Sequence, residues 1–215
     1  MKNLARYIDH TFLNPCGAAG SVAKLCREAK KHSFCSVCVN PAFVSQAKRL
    51  LKNSDVKVCT VVGFPLGQNT TAVKIAEALD AIEDGADELD FVINQRYLKF
   101  DPELCQKELD DLVHFTSSSR KIVRKLIIEC CNLTKEEKVC ACRMAKKAGF
   151  DFVKTSTGFG EGGATAEDVR LIRKTVGKKM GVKASGGIRT RQDALKMIEA
   201  GATRLGCSCG VQIVK

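Results

Sequence analysis

Residues 150–163 read FDFVKTSTGFGEGG, and this stretch decides how the rest of the chain is interpreted. It begins with an apolar run typical of a buried strand and places Lys154 where that strand should end. Burial at a strand end favours the neutral, nucleophilic form of a lysine amine over its charged form. The hydroxyl residues and glycines that follow can turn backbone N–H groups toward an anion. The stretch therefore predicts a nucleophilic lysine beside an anion-binding loop.

A second stretch has the same organisation. Residues 181–190 read GVKASGGIRT, which is a short strand, then Lys183, then a turn rich in serine and glycine. The two lysines are about one βα unit apart, so neighbouring strands of a parallel barrel would hold both amines at one mouth. Two ammonium groups at close range repel each other, and one then loses its proton more readily. The alternative is that each lysine is a solvated charge at a strand end, but the repeated pattern argues against it.

Strand and helix patterns alternate along the whole chain. The predicted strands cover residues 6–9, 35–39, 56–62, 88–93 and 123–129, two strands ending at Lys154 and Lys183, and residues 204–206. The predicted helices cover residues 21–31, 42–51, 70–84, 102–118 and 135–148, a segment starting near Thr165, and residues 190–200. Eight such units predict an α/β fold, a single (β/α)8 TIM barrel that forms one domain over residues 1–215. A doubly wound open sheet is the alternative, but no G-x-G-x-x-G follows the first strand.

Asp90 is an unusual residue for its place in the sequence. It lies among Leu89, Phe91 and Val92 in the predicted fourth strand. One interpretation is a structural acid in an ion pair. The other is a carboxylate that points into the barrel mouth, where the active sites of this fold lie, close to the two lysines.

Composition limits the classes of function. Hydrophobic residues make up 45% of the 215 residues, enough for a substantial core, and no run of about 20 apolar residues predicts a membrane span. The polar first residues do not resemble a secretory signal, so we expect a cytoplasmic protein. The net charge is +11, but the basic residues are scattered and there is no Trp. We therefore expect an anionic small molecule rather than nucleic acid as the partner.

The chain has twelve cysteines, and Cys35 and Cys38 form a C-x-x-C pair. A zinc or redox role is one interpretation, but the pair lies in a predicted strand rather than in a loop or at a helix start. The other interpretation is that the thiols act as small apolar residues in a reducing cell. His10, His32 and His114 form no ligand cluster in the sequence. We therefore predict no metal and no cofactor.

Seven segments together resemble one family. They are residues 8–11 (IDHT), 36–41 (SVCVNP), 61–67 (VVGFPLG), 88–90 (ELD), 125–129 (KLIIE), 152–158 (FVKTSTG) and 181–189 (GVKASGGIR). These segments are similar to those of the deoxyribose-phosphate aldolases, the class I DeoC family, and the resemblance covers nearly the whole chain.

The resemblance implies reversible cleavage of 2-deoxy-D-ribose 5-phosphate to glyceraldehyde 3-phosphate and acetaldehyde, in the catabolism of deoxyribose phosphate. Lys154 matches the lysine that forms the Schiff base, and Lys183 matches the neighbour that promotes loss of its proton. Asp90 matches the acid that relays protons with water. Asp9 and Cys38 match positions that line or support the pocket.

The resemblance also implies a phosphate-binding site. The matching residues are Gly158, Gly186, Gly187, Gly206 and Ser208. Cys207 and Cys209 flank Ser208 where small or hydroxyl residues are common in the family, so phosphate affinity could differ. If they are exposed, these thiols would make the enzyme sensitive to oxidants.

Other functions stay open at this stage. They are another imine-forming aldolase, a metal-dependent sugar-phosphate isomerase or epimerase, and a phosphate-binding protein without catalysis. Barrel enzymes of this size often dimerise, so a homodimer is an option that the sequence leaves open.

Overall fold

Eight parallel strands form the centre of the molecule. They are β1 (Ile8–Phe12), β2 (Ser36–Val39), β3 (Lys57–Val62), β4 (Glu88–Val92), β5 (Val123–Ile127), β6 (Phe152–Lys154), β7 (Gly181–Ser185) and β8 (Arg204–Cys207). The computed structural model describes residues 3–117 and 121–215. Each strand pairs with the next, and β8 pairs with β1, so the sheet is a closed barrel. The predicted (β/α)8 barrel is confirmed, and the open sheet is excluded.

Helices connect the strands around the outside of the barrel. They are α1 (Ser21–His32), α2 (Val44–Leu50), α3 (Thr71–Glu83), α4 (Gln95–Phe100), α5 (Pro102–Phe115), α6 (Lys135–Ala148), α7 (Ala166–Val176), α8 (Arg191–Glu199) and α9 (Gly210–Val214). Side-chain caps begin α7 and α8. The Thr165 side chain accepts a hydrogen bond from the Asp168 N–H, and Thr190 and Asp193 form a capping box. Across the described residues, none of the helices is both long enough and apolar enough to cross a membrane.

The structure corrects several predicted boundaries. A 3-10 helix, Leu4–Tyr7, occupies the start of the predicted first strand, so β1 begins later. α4 was missed because its sequence is short and has no strong apolar period. The Asn94 side chain caps it by accepting from the N–H groups of Arg96 and Tyr97. α5 ends at Phe115, and position 118, the predicted end, lies outside the described residues.

The two faces of each strand have different environments. In β4, Leu89 and Phe91 belong to the apolar core between the sheet and the helices. Glu88 and Asp90, at the alternate positions, are also buried but contact charged side chains of other strands. Part of the barrel interior is therefore filled by ion pairs rather than by aliphatic side chains.

Candidate active site

Lys154 and Lys183 meet inside the barrel. Lys154 ends β6 as predicted, whereas β7 continues past Lys183 to Ser185, and the two lysines lie opposite each other in the strand register. Lys154 is only 3% exposed and Lys183 is fully buried. The parallel register, which brings these paired residues of neighbouring strands to one level, therefore holds both amines together as the sequence predicts.

Asp90 is the group that joins them. Its Oδ2 lies 2.8 Å from Lys154 Nζ and 2.7 Å from Lys183 Nζ. Its Oδ1 accepts from Lys125 Nζ at 2.8 Å. Complete burial would raise the pKa of the Asp90 carboxyl, but the charges of Lys125, Lys154 and Lys183 hold it well below its usual range. Asp90 is thus an ionised carboxylate shared among three ammonium groups.

Six of these buried charges form a closed ring of alternating sign, which we call the charge ring. In order, its members are Asp90, Lys125, Glu88, Arg204, Asp9 and Lys183. Its contacts measure between 2.6 and 2.9 Å. Three acids and three bases make the ring neutral. Lys154 contacts it only through Asp90 and is the additional positive charge.

The charge ring fixes the protonation of its members. Burial opposes the charge on Lys183, but the carboxylates of Asp9 and Asp90 raise the pKa of its ammonium well above the usual value. Burial also opposes the charge on Asp9, but Arg204 and Lys183 hold the pKa of that carboxyl below its usual range. Lys183 therefore keeps its proton. The sequence indicates a charged Lys183 but does not indicate this network.

Three members of the charge ring were missed by the sequence analysis: Glu88, Lys125 and Arg204. The strand pattern and pairing of the sequence could have indicated two of them. Glu88 is two positions before Asp90, on the same face of β4, and Lys125 stands opposite Asp90 in the register of β5. Arg204 begins β8 and reaches Asp9 across 195 positions of sequence, a contact that no local pattern indicates.

A cavity of about 580 Å³ opens above Lys154 at the carboxyl ends of the strands. Its walls come from the loops that follow β1, β6, β7 and β8. The predicted phosphate residues that line it are Gly158, Gly186, Gly187, Gly206 and Ser208. Lys154 lines the cavity too, whereas Asp9, Cys38, Asp90 and Lys183 are fully buried around its floor. Thus the structure brings the predicted residues together in two layers, one in the cavity wall and one beneath it.

Glycines give the cavity its shape at two places. Gly186 and Gly187 have φ angles of 84° and 78°, a left-handed conformation that other residues rarely adopt. A Cβ at Gly206 would lie 3.1 Å from Lys183 Cε, so the absence of a side chain leaves space for Lys183. Arg189 also lines the cavity and places an exposed cation beside these glycines.

Glu129 anchors the loop that follows Lys154. It is buried with a φ of 53°, and this left-handed turn ends β5 earlier than predicted. Its carboxylate accepts from the Thr157 N–H at 3.2 Å and also from the Thr157 hydroxyl. Thr157 Oγ1 in turn accepts from the Phe159 N–H. Because Thr157 and Phe159 line the cavity, Glu129 supports one of its walls.

The predicted C-x-x-C pair is not a unit in the fold. Cys35 precedes β2 and is half-buried, whereas Cys38 lies in β2 opposite Cys59 of β3. Donor atoms of Cys38, Cys59 and Asp90 lie within 4.8 Å of one another. This is the only such group of metal-ligand residues within ranges 3–117 and 121–215.

The thiol at position 207 is not exposed, so the sensitivity to oxidants expected of an exposed thiol does not apply to it. Cys207 is buried, and burial raises the pKa of its thiol to about 12. A thiol in this state is a weak nucleophile toward oxidants. Cys209 is half-buried, and both residues line the cavity beside Ser208.

Comparison with known proteins relates the chain to aldolases. The family model described as DeoC/LacD family aldolase matches residues 4–215. The chain is 55% identical over 214 residues to the deoxyribose-phosphate aldolase of Thermoanaerobacter sp. (strain X514), covering 99% of this chain and 96% of the relative. It is 56% identical over 213 residues to the deoxyribose-phosphate aldolase of Clostridium botulinum (strain Kyoto / Type A2), covering 99% of each chain. It is also similar to the solved deoxyribose phosphate aldolase from Aeropyrum pernix, described as a unique tetrameric structure. There the TM-score is 0.91 and the identity 35%, over 98% of this chain and 89% of that one.

Proposed function

We propose that this chain, which belongs to the DeoC/LacD family of aldolases, cleaves 2-deoxy-D-ribose 5-phosphate reversibly through a Schiff base on Lys154. Aldolases are lyases that break or form a carbon–carbon bond. One observation carries the proposal. The Lys154 amine lies on the floor of the cavity and contacts the same oxygen of Asp90 as Lys183 does.

In the proposed reaction, the neutral amine of Lys154 adds to the C1 aldehyde of the open-chain sugar. Loss of water then gives a protonated imine, a covalent intermediate that divides one difficult step into easier ones. The C3 hydroxyl gives up its proton, the C2–C3 bond breaks, and its electron pair moves to the imine as an enamine. Glyceraldehyde 3-phosphate leaves. Protonation of C2 and hydrolysis of the imine then release acetaldehyde and restore Lys154.

Asp90 and Lys183 have complementary roles in this proposal. Lys154 can pass its proton to Asp90, which contacts it at 2.8 Å, and a water in the cavity can carry the proton onward. Lys183 keeps its own proton and faces the same oxygen, so it favours loss of the proton from Lys154 rather than acting as the nucleophile. Asp9 supports this arrangement by contacting Lys183 at 2.6 Å.

The phosphate of the substrate would bind at the glycine-rich wall. Gly158, Gly186, Gly187, Gly206 and Ser208 contribute small groups and backbone to one side of the cavity. Backbone N–H groups in such loops form anion-binding concavities, and the exposed cation of Arg189 adds attraction for a dianion. A phosphorylated sugar therefore fits the charge of the cavity better than a neutral one.

Borohydride trapping tests the covalent step. The protein is incubated with deoxyribose 5-phosphate or with acetaldehyde, then reduced and digested, and the modified residue is mapped by mass spectrometry. We expect the adduct on Lys154. An adduct on another lysine would move the nucleophile and would refute the assignment.

Two variants complete this test. Lys154→Ala should form no adduct and should lose turnover while keeping its thermal unfolding temperature near that of the parent. The matched control is Lys24→Ala, because Lys24 has a mostly exposed side chain on α1 and should be trapped like the parent. A panel of sugar phosphates in the same assay separates this function from that of other imine-forming aldolases. Turnover that survives in Lys154→Ala would refute the Schiff base.

Cellular location and assembly complete the proposal. All twelve cysteines are free thiols, which fits a reducing compartment such as the cytoplasm.

We propose a homodimer in solution, and analytical ultracentrifugation of the purified protein measures its oligomeric state directly. A monomer or a tetramer by that method would exclude the dimer.

A further inference from the structure

We propose that Cys38, Cys59 and Asp90 form a binding site for a soft or borderline divalent cation such as Zn²⁺ or Cd²⁺. Each residue offers one donor atom, and the two sulfurs and the carboxylate oxygen lie within 4.8 Å of one another. Two thiolates and one carboxylate are a donor set that such cations prefer.

The strand register holds these donors in place. Cys38 and Cys59 are partners on the neighbouring strands β2 and β3, and both are fully buried. Cys59 Sγ lies 3.2 Å from Asp90 Oδ1. A tetrahedral cation with bonds of about 2.3 Å to sulfur and about 2.0 Å to oxygen holds its donors roughly 3.5–3.8 Å apart. Small side-chain movements are therefore enough to form the site.

The charge balance of the cluster permits two thiolate donors. Binding exchanges the two thiol protons for one divalent ion, so these two donors bind it without a change in the net charge of the buried cluster.

The charge ring can accommodate a cation bound to Asp90. A cation bound to Asp90 Oδ1 and Cys59 Sγ displaces Lys125 from both atoms, but Lys125 keeps its 2.6 Å contact with Glu88. Lys183 keeps its contact with Oδ2, whereas Lys154 leaves Oδ2 when its amine binds the cation. Lys154 also lines the cavity, so the proposed cation site lies one side chain below a cavity floor that solutes can reach. The neutral amine of Lys154 can supply a fourth ligand to the cation.

The expected effect of cation binding on activity rests on the proposed function. A cation bound to Asp90 removes that carboxylate as a partner of Lys154, and the cation also binds the Lys154 amine. The Schiff base cannot form on a lysine that is bound to metal. The site would therefore be inhibitory and reversible, and distinct from any metal requirement of the reaction.

Cadmium titration tests both the cation site and its inhibitory effect on cleavage. Metal-free protein in a reducing buffer is titrated with Cd²⁺, and two signals are followed in parallel. The ultraviolet charge-transfer absorption of cadmium thiolate reports binding, and cleavage of deoxyribose 5-phosphate reports activity. We expect one tight equivalent per chain, with activity lost at the same equivalence and recovered after EDTA.

Matched variants locate the site. Cys59→Ala should weaken the tight equivalent by more than about 100-fold, the upper limit seen when only a supporting residue is lost. Cys142→Ala, which removes a buried thiol of α6 in the apolar core between the sheet and the helices, should bind Cd²⁺ like the parent. The exposed thiols of Cys16 and Cys131 give the same background in every protein. If Cys59→Ala does not fold, as judged by thermal unfolding, Cys59→Ser replaces it.

Each outcome decides one part of the proposal. An unchanged tight equivalent in the Cys59 variant, or none in the parent, would overturn the site. Tight binding that leaves turnover intact would overturn the inhibition alone. Metal-free parent protein that cleaves no sugar would refute the proposed function, while the absorption signal would still test the cation site.

Discussion

At the scale of single residues, Asp90 organises the candidate site. It contacts Lys125, Lys154 and Lys183, and each contact is between 2.7 and 2.8 Å. A buried carboxylate with several charged partners stays ionised and well oriented. The same geometry makes Asp90 the most direct acceptor for the proton that Lys154 must lose in the proposed reaction.

Asp90→Asn should therefore lower kcat for cleavage of deoxyribose 5-phosphate by about 10²–10⁴-fold, the usual contribution of general acid–base catalysis. The amide keeps the shape of the side chain but cannot take up a proton. Steady-state kinetics on the purified variant measure the loss. Asp110→Asn, at an exposed position of α5, should behave like the parent. Equal kcat in both variants would remove Asp90 from the proton path.

Asp90 should also make stability depend on pH. Because its pKa is well below the usual range in the folded state, its contribution to the free energy of unfolding is present above the unfolded value of about 3.9. That contribution is lost as pH falls through the lower folded value. The difference in free energy of unfolding between the parent and Asp90→Asn should stay constant from about pH 7 to pH 5 and shrink below about pH 4. Urea unfolding across this range measures it, and a difference that grows in acid would contradict the assigned shift.

At the scale of elements, β5 and the loop after β6 form one functional unit. β5 brings Lys125 to Asp90, and the chain just beyond it brings Glu129 to Thr157. The loop that starts at Lys154 is thereby tied to its neighbouring strand. A loop that forms a cavity wall is more rigid when a buried carboxylate satisfies its N–H groups.

Glu129→Ala should raise KM for deoxyribose 5-phosphate and lower stability by about 1–3 kcal/mol, because the Thr157 N–H is left without its buried acceptor. Glu129→Gln is the matched variant. Its side-chain oxygen can still accept from Thr157, so KM and stability should stay closer to those of the parent. Kinetics and urea unfolding of the two variants provide the comparison. Equal effects of both changes would show that the charge, rather than the hydrogen bond, supports the loop.

At the scale of the whole molecule, the charge ring joins β1, β4, β5, β7 and β8 across the barrel interior. Its members come from both ends of the chain, so it can form only when the barrel closes. Buried ion pairs are costly to desolvate, and removing one partner leaves an uncompensated charge. We infer that the ring favours the closed barrel over incomplete sheets.

Arg204→Met should lower the free energy of unfolding by about 3–5 kcal/mol, because Asp9 and Glu88 both lose a buried partner. The matched control is Lys99→Met. Lys99 forms a partly exposed ion pair with Glu137, whose loss should cost less than about 1 kcal/mol. Chemical denaturation of both variants gives the two values. Similar small losses would show that the charge ring contributes little to stability.

The sequence predicted the barrel well because each βα unit carries its own local signals. Apolar strands, capped helices and glycine stops recur along the chain, and they depend on neighbours within a few residues. The same locality explains the misses. α4 begins at a cap formed by Asn94 and has a short, weakly periodic sequence. β5 ends early because Glu129 takes a left-handed conformation that its residue type does not suggest.

By itself, the sequence determined which chemical groups the strands and the loops after them carry: the amines of Lys154 and Lys183, the carboxylate of Asp90 and the glycine-rich loops. These follow from the period of the strands and from the rule that barrel sites lie at their carboxyl ends. Only the tertiary structure decided how the charges pair. Lys125, Glu88, Arg204 and Asp9 are distant in sequence, and strand register and closure of the barrel select their partners. Closure of the barrel also buried Cys207, and the register of β2 and β3 placed Cys59 beside Cys38. Burial depends on the elements that pack around a residue and not on its neighbours in sequence.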